Sequence, residues 1–415
     1  MAPQGAPGAI NIFTVTPSRF RWLKQRNRFR TLRLSQWRAR NYSGREAGNV
    51  TLKRLDILHT ATWLRLGRFP QLPDCPQEDV HHVLFCSNFS GEWNPYRQAF
   101  LDVLGTGIRS AWGGSEGLPR FPKRGTRYAV EEWQRHRLPT TQHYYRAYPG
   151  LAPSEVRGAV RMARQLEAFA LKADAGAIGP GDDPNDTAFR QLQRRLTTAF
   201  GGSPAGILPG AAFGPPRCTG MSNFVSVVPI VPGREEDVAR RICRLPDGEG
   251  SPFRHVEGTH FARLAVLDRR TASFHPRNAI VLRHSWLLFA ADVDGHFGVR
   301  EPGAERMDPD EVHRYVTAVD RSSRLRAVWQ DCIGFHRDRP LADLIEPTVV
   351  PRFVLFLDHG DTTLRDIDDG LRLKHAYLRR LHSGDLDSHA GVARFLERVR
   401  ANARAAQPMR ALARA

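Results

Sequence analysis

The alternation of apolar and polar positions predicts the same pair of strands twice along the chain. Residues 55–66 (LDILHTATWLRL) and 258–267 (GTHFARLAVL) each read as a strand in which a histidine is followed two residues later by an alanine. A second apolar run follows each of them, at 83–93 (VLFCSNFSGEW) and at 287–297 (LLFAADVDGHF), and enters a polar turn that contains a glycine. Apolar runs of this length, bounded by turn residues, are typical of strands.

The pattern after these strands repeats as well. An amphipathic helix follows each pair and ends with the same spacing of an aliphatic residue, Trp and Gly, at 108–117 and at 325–334. A further strand and a glycine come next, with the strands at 142–149 and 352–359. The second amphipathic helices are predicted at about 153–171 and about 362–381. Features that recur in the same order with similar gaps indicate an internal duplication.

The second copy also shows how each repeat begins. Residues 224–233 read as a strand, and 234–245 follow as an amphipathic helix. The order strand, helix, strand, strand, helix, strand is that of a split β-α-β, ferredoxin-like unit. In the first copy the opening strand is predicted at 11–16, and the basic residues 19–46 stand where its helix is expected.

These patterns predict an α+β protein of two tandem ferredoxin-like units with antiparallel sheets, packed as an intrachain α/β barrel-like pair. Residues 201–216 hold nine Gly or Pro and separate the two repeats. The predicted domains are 1–171 with the basic N-terminal segment, a connector at 172–221, the second unit at 222–385 and a C-terminal helix at 386–415.

Composition narrows the class of protein. The chain has 415 residues, of which 41% are hydrophobic, and this excludes a purely disordered or collagen-like chain. No apolar stretch approaches the ~18 residues of a transmembrane helix, and no secretory signal is visible at the start, so we expect a cytoplasmic protein. The five cysteines are widely spaced without a C-x-x-C pair, which signals neither a zinc site nor a disulfide framework.

Charge points to an anionic partner. The formal net charge is +18, and residues 19–46 carry ten basic residues and one acidic residue, interleaved with aromatic and aliphatic side chains. Such a segment can lie on an anionic membrane surface, because Lys and Arg attract headgroups while Trp and Phe insert. The alternative is a basic helix packed on its own domain. Nucleic-acid binding is not favoured, because no recognition helix, RNP motif or zinc module accompanies the charge.

The His-x-Ala strand, followed by a strand-to-turn element of the Ser-Asn-Phe-x-Gly type, resembles the ferredoxin-like superfamily called dimeric α/β barrels. The resemblance covers most of 9–171 and 222–382. It implies two ferredoxin-like units whose sheets lie face to face. Members of the superfamily include haem-dependent dye-decolourising peroxidases, chlorite dismutases, haem-degrading and cofactor-free monooxygenases, and small cyclases.

The dye-decolourising peroxidases carry a Gly-x-x-Asp-Gly motif whose Asp serves peroxide cleavage. The nearest match is Ala-Asp-Val-Asp-Gly at 291–295, with Ala in place of the first Gly. The corresponding residues of the first copy, Ser-Asn-Phe-Ser-Gly at 87–91, hold no acid. The chain therefore departs from the peroxidase motif in both copies.

Strand alternation assigns the candidate side chains to faces. His59 and Trp63 share a face of their strand, whereas His260 and Arg263 point to opposite faces. If the histidine faces meet between the sheets, a central ligand contacts two imidazoles, and a neutral imidazole can bind haem iron or act as a general base near pH 7. The structural alternative is a core histidine hydrogen-bonded to the protein itself.

The candidate site follows from these faces. We predict catalytic roles for His260, Arg263 and Asp292, with His260 as the metal ligand. The predicted ligand-binding residues are His59, Trp63, Asn88 and His359.

The predicted function is a peroxidase-like or monooxygenase-like oxidoreductase that binds haem or another apolar planar ligand between the two units. The alternative is a non-enzymatic protein that binds a small molecule or a partner, peripherally attached to anionic membranes through residues 19–46. The oligomeric state does not follow from the sequence.

Overall fold

The computed structural model describes residues 10–17, 56–69, 72, 78–92, 96, 142–174, 189–194, 196, 220–269, 283–295, 309–350, 352–357 and 362–412. Within them, eight strands form two four-stranded antiparallel sheets. The strands are β1 Ile10–Pro17, β2 Leu58–Phe69, β3 Glu78–Phe89, β4 His143–Arg146, β5 Gly220–Pro229, β6 Thr259–Leu267, β7 Trp286–Gly295 and β8 Arg352–Leu357. The strands predicted from apolar runs are therefore found, and the α+β class with antiparallel sheets is confirmed.

The two repeats exchange their last strands. One sheet has the order β1-β3-β2-β8 and the other has the order β4-β6-β7-β5. Strand β4 comes from the first repeat but pairs with β6 of the second, and β8 comes from the second repeat but pairs with β2 of the first. A self-contained split β-α-β unit would keep its four strands in one sheet. In each described sheet three strands come from one repeat and the fourth from the other, and neither sheet closes into a barrel.

The second sheet is covered on both faces, which explains why β6 and β7 are apolar almost throughout. One face, which includes Ala262 and Leu264, packs against helices and against Trp329. The other face packs against the first sheet, where Leu64 and Leu84 meet Ala265 and further aliphatic side chains of β5 and β7. Removing this apolar surface from water stabilises the stacked sheets by ~25 cal/mol per Å².

Seven helices are described with full bounds. They are α1 Pro153–Asp174, α2 Glu235–Cys243, α3 Pro309–Asp320, α4 Ser323–Arg326, α5 Ala342–Ile345, α6 Leu364–His382 and α7 His389–Leu412. Helix α6 begins at a capping box, in which the Thr363 side chain accepts from the Asp366 backbone N–H and the Asp366 carboxylate accepts from the Thr363 N–H. None of the described helices is long and apolar enough to cross a membrane.

The compact units do not follow the repeat boundaries. One unit, here called the sheet unit, comprises Met1–Ala152 and Gly220–Gly360 and so holds both sheets. The other, the helical unit, comprises Pro153–Thr219 and Asp361–Ala415. The predicted division into 1–171 and 222–385 therefore differs from the observed one, because the strand exchange joins the sheets of both repeats in one unit. The helices that follow β4 and β8 belong to the helical unit.

Helices α1 and α6 make close backbone contact within the helical unit. A Cβ on Gly370 of α6 would lie 3.1 Å from the Ala159 carbonyl carbon and from the Val160 nitrogen of α1. Glycine is required there because any larger residue would push the two helices apart. The basic segment 19–46 and the connector around 201–216 lie outside the described residues.

Candidate functional site

Two histidines occupy equivalent β-bulges in the two sheets. In the first sheet the pairing moves from Leu58–Phe89 to Thr60–Asn88, which leaves His59 as the extra residue of β2. In the second sheet it moves from Thr259–Val293 to Phe261–Asp292, which leaves His260 as the extra residue of β6. A bulge changes the direction of its side chain and is over-represented next to active sites. The repeated His-x-Ala motif is therefore a repeated bulge.

The backbone around the two bulges is also the same. Ser90 N–H donates to the Ile57 carbonyl at 2.6 Å, and Asp294 N–H donates to the Gly258 carbonyl at 2.8 Å. Each donor lies two residues after the residue that pairs across from its bulge, Asn88 or Asp292. The duplication inferred from the sequence thus extends to individual hydrogen bonds.

His260 lies in the middle of a chain of three side chains. Its Nε2 is 2.7 Å from the Asp294 carboxylate, so Nε2–H donates to Asp294. Its Nδ1 is 3.2 Å from the Tyr148 hydroxyl, which donates to the imidazole when the ring is neutral. His260 is fully buried, whereas the Asp294 side chain is 29% exposed. Hydroxyl, imidazole and carboxylate thus run from the interior to solvent.

Two backbone features fix this chain of side chains. Ala147 N–H donates to the His260 carbonyl at 2.9 Å and so holds the loop after β4 beside the bulge. Gly258 has φ +75°, and a Cβ there would lie 3.0 Å from the Asp294 Cβ. Only glycine allows the start of β6 to approach Asp294 this closely.

His59 contacts a serine where His260 contacts an acid. Its Nε2 is 2.8 Å from Ser90 Oγ, and Ser90 donates its one hydroxyl hydrogen to the Leu151 carbonyl at 2.9 Å. His59 therefore donates from Nε2, which assigns its tautomer. The two imidazoles differ at this position, because the Nε2 of His260 contacts a carboxylate and the Nε2 of His59 contacts a hydroxyl.

Aromatic rings connect the two histidines. The Tyr148 ring lies 5.9 Å from both imidazoles, measured between ring centroids. The Phe261 ring lies 5.4 Å from His59 and 5.1 Å from Tyr148. The Tyr148 ring is therefore packed among other rings.

A polar cluster ties the two sheets together beside these rings. The fully buried Asp292 carboxylate accepts from Asn223 Nδ2 at 2.6 Å and from Asn88 Nδ2 at 2.6 Å. Arg263 donates to the same carboxylate at 3.0 Å and to the Ser87 carbonyl of the opposite sheet at 3.2 Å. This cluster brings together three of the predicted residues, Arg263, Asp292 and Asn88. Their shared contacts make it a tie between the sheets.

The division of residues 261–267 into two faces is confirmed, but the row that faces the other sheet is not the one expected from the histidines. Thr60 and Thr62 point at the opposite sheet, where their hydroxyls reach Asp292 and Asn223 at 3.4 and 3.2 Å. Arg263 lies in the row of β6 that faces the first sheet, where it donates to the Ser87 carbonyl. The prediction failed because a bulge reverses the alternation at one residue, and period-2 counting from the histidine then gives the opposite face for the rest of the strand.

The remaining predicted residues are placed elsewhere. Trp63 packs on Phe85, with ring centroids 4.6 Å apart, one residue along from the inward-facing Leu64. It therefore lies on the face of β2 away from the opposite sheet. His359 lies outside the described residues.

Burial also tunes the groups between the sheets. It raises the pKa of the Cys86 thiol from 9.0 to about 12, so this thiol is a packing group near neutral pH. Burial likewise raises the pKa of the Tyr144 hydroxyl, although the nearby Arg263 acts in the opposite direction. Both groups stay uncharged beside the Arg263–Asp292 pair.

The described residues do not fit a haem between the sheets at His260. Both of its ring nitrogens already make hydrogen bonds, to Asp294 and Tyr148. The Asn88–Asp292 contact of 2.6 Å holds the sheets too close for a porphyrin beside it.

Tyr148 and Asp294 were missed by the sequence reasoning. A signal for Asp294 existed, because a residue-by-residue match of 291–295 to Gly-x-x-Asp-Gly places the motif's acid at 294 and not at 292. No comparable signal marked Tyr148, since its position beside His260 results from the strand exchange. The chain matches no family model and no curated protein.

Proposed function

We propose that the protein is a monooxygenase-like oxidoreductase that works without haem, with Tyr148, His260 and Asp294 as its proton-transfer residues. The observation that carries the proposal is the hydrogen-bonded order Tyr148–His260–Asp294, at 3.2 and 2.7 Å. It has the order of groups in a nucleophile–base–orienter triad. The substrate is proposed to be flat and apolar, because the rings of His59 and Phe261 surround Tyr148.

Each residue has a defined task in this proposal. Asp294 accepts a hydrogen bond from the Nε2–H of His260. The hydrogen of the neutral ring is therefore on Nε2, and the Nδ1 lone pair is directed at Tyr148. His260 takes the phenol proton, and the carboxylate stabilises the imidazolium that forms. The resulting phenolate removes a proton from an activated CH₂ group of the substrate. Dioxygen then oxidises the carbanion, with the overall balance R₂CH₂ + O₂ → R₂C=O + H₂O.

The activated phenol can be tested without knowing the substrate. An aryl sulfonyl fluoride should label Tyr148, because its oxygen displaces fluoride at sulfur while His260 accepts the proton. Peptide mass spectrometry should show labelling of Tyr148 that falls at least about tenfold in His260→Gln and Asp294→Asn. His143→Gln, which alters a buried histidine on the neighbouring strand β4, should label as the wild type does. Equal labelling in all four proteins would refute the activation.

The oxidation is tested by oxygen uptake. Anthrone is a flat aromatic compound with an acidic CH₂ group, and its conversion to anthraquinone consumes one dioxygen per molecule. The wild type should accelerate uptake, and Tyr148→Phe should not. Labelling of Tyr148 without oxygen uptake would keep the proton relay and remove this oxidation from the proposal.

The alternative function is non-enzymatic binding to anionic membranes, favoured by the ten basic residues interleaved with aromatics in 19–46. It predicts salt-sensitive retention on phosphatidylserine vesicles that charge reversal between Arg19 and Arg45 abolishes. A cytoplasmic location is proposed for both functions.

A ferredoxin-like origin of the repeats is proposed as well. It is supported by the antiparallel order of the first three strands, β1-β3-β2 and β5-β7-β6, which is the same in both repeats. Exchange of the fourth strands then explains how two such units came to share one compact unit. The likeness to the dimeric α/β barrels belongs to this proposal.

A further inference from the structure

The sheet unit carries a cationic surface. Its residues are distant in the sequence from Tyr148, His260 and Asp294 and, among the residues that the structure describes, share no hydrogen bond with them. It is formed by two segments, 321–326 at the start of α4 and 336–340 in the loop before α5. Its exposed arginines, here called the arginine surface, are Arg321, Arg324, Arg337 and Arg339.

Arg326 holds the two segments together. One of its guanidinium nitrogens donates to the carbonyls of Arg337 at 2.6 Å and Arg339 at 2.8 Å, and more weakly to the His336 carbonyl at 3.3 Å. The guanidinium also lies over the Phe335 ring, 5.4 Å from its centroid. The loop carbonyls thus face inward, and the side chains at 336–339 are exposed. This arrangement fixes the backbone of the loop that carries Arg337 and Arg339 beside the segment that carries Arg321 and Arg324.

The acids nearby do not neutralise the surface. Asp320 is engaged by Arg326, and its second oxygen accepts from the Leu341 N–H at 3.0 Å. Asp338 is the single acid in the two segments. Across the part of the chain that the structure describes, none of the four surface arginines forms an ion pair. Their charges therefore remain available to a ligand.

The chemistry of the surface selects phosphate groups in series. A guanidinium is a planar fork that matches two phosphate oxygens, and it is weakly hydrated. Four such forks on one surface suit a chain of phosphates better than a single anion. A membrane fits less well, because the exposed large apolar side chains among the described residues are Val231 and Leu381, and neither belongs to this surface.

We propose that the arginine surface binds the phosphodiester backbone of nucleic acid, without reading its sequence. The contacts go to phosphates, so affinity should depend steeply on salt and little on base composition. This site is independent of the proposed oxidoreductase function and of residues 19–46.

The test compares two triple variants of the full chain. Arg324→Gln, Arg337→Gln and Arg339→Gln together remove three charges from the arginine surface. Arg379→Gln, Arg394→Gln and Arg398→Gln remove three exposed charges from the helical unit and serve as the matched control. Both variants keep residues 19–46, and their net charges are equal to each other. Binding is followed by fluorescence anisotropy of a fluorescein-labelled 20-nucleotide single-stranded DNA between 50 and 200 mM salt.

The surface variant should bind the oligonucleotide about tenfold more weakly or worse at the lowest salt, while the control variant stays within about twofold of the wild type. The slope of log affinity against log salt should become shallower by about 2, since each lost phosphate contact contributes ~0.7 for a single strand. Equal weakening in both variants would overturn the proposal in favour of general charge attraction. Retention on phosphatidylserine vesicles, with no oligonucleotide binding, would overturn it in favour of a membrane.

Discussion

The hydroxyl of Tyr148 and the imidazole of His260 come from different repeats and are joined by a 3.2 Å hydrogen bond. Tyr148 follows β4, which the first repeat donates to the sheet of the second. The proposed proton relay therefore depends on strand exchange, since a repeat that kept its own fourth strand would not place this tyrosine beside His260. Duplication supplied the two bulges, and the exchange made one of them into a candidate site.

Gly258→Ala should displace Asp294 from His260, in addition to straining the backbone at residue 258. Alanine at φ +75° is strained, and its Cβ would lie 3.0 Å from the Asp294 Cβ and 3.3 Å from a carboxylate oxygen. Asp294 must then move from His260, so sulfonyl fluoride labelling of Tyr148 should fall at least about fivefold.

Gly233→Ala is the matched control for this change. Its φ is +84°, yet a Cβ there meets no atom of the described residues within 4 Å. Both variants should lose about 1 kcal/mol of unfolding free energy through strain, and Gly258→Ala should lose more. If the two variants label Tyr148 alike, the contact between Gly258 and Asp294 does not position the relay.

The sequence was informative where burial is continuous. Strands β6 and β7 are covered on both faces, so their apolar runs were long enough to be recognised. The repeated His-x-Ala motif of His59 and His260 was equally visible, because the motif can be read from the sequence whether or not the strand has a bulge there. The effect of the bulge on which side chains face the other sheet was hidden, since nothing in the sequence marks the residue at which the alternation reverses.

Strand exchange could not be predicted from the sequence. Strand β4 has four residues, and its partner is chosen by backbone hydrogen bonds that any residue can make. Thr60 and Thr62 are buried between the sheets, and their hydroxyls contact residues more than 100 positions away in the sequence. Asp292 and Arg263 were predicted as catalytic residues, and their observed contacts are with residues of the two sheets.

Asp292→Asn should strongly destabilise the sheet unit. It removes the charge that balances the fully buried Arg263, and an uncompensated buried charge costs about 3–5 kcal/mol. Asp368→Asn is the control, because its pair with Arg372 is exposed and such pairs contribute about 0–1 kcal/mol. Urea unfolding gives both values. A loss below about 1 kcal/mol in Asp292→Asn would mean that the Arg263–Asp292 pair is not desolvated.

Acid should weaken the fold through His143. Burial lowers its pKa below 6.5, although Asp247 at 3.2 Å acts in the opposite direction. The unfolded chain therefore binds a proton at a higher pH than the folded chain does. The contribution of neutral His143 is complete above pH 6.5 and is lost as pH falls toward the lower, folded-state pKa.

The measurement is the urea midpoint at pH 7.5 and at pH 5.5. His143→Gln should lose less stability between the two than the wild type, because glutamine does not titrate. His375→Gln changes an exposed histidine of α6 and should behave as the wild type. An unchanged pH dependence in His143→Gln would show that another group governs the acid transition.

Haem should not bind between the sheets with His260 as the ligand of its iron. Coordination would cost the imidazole its hydrogen bond to Tyr148 or to Asp294, and a porphyrin would have to separate Asn88 from Asp292, now 2.6 Å apart. The protein expressed with a haem precursor should therefore show no stoichiometric Soret band. If a band appears, His260→Ala decides its origin: loss of the band in a folded variant would establish His260 as the ligand and would require the sheets to open. A band that persists in that variant would place haem at another residue and leave the proton relay intact.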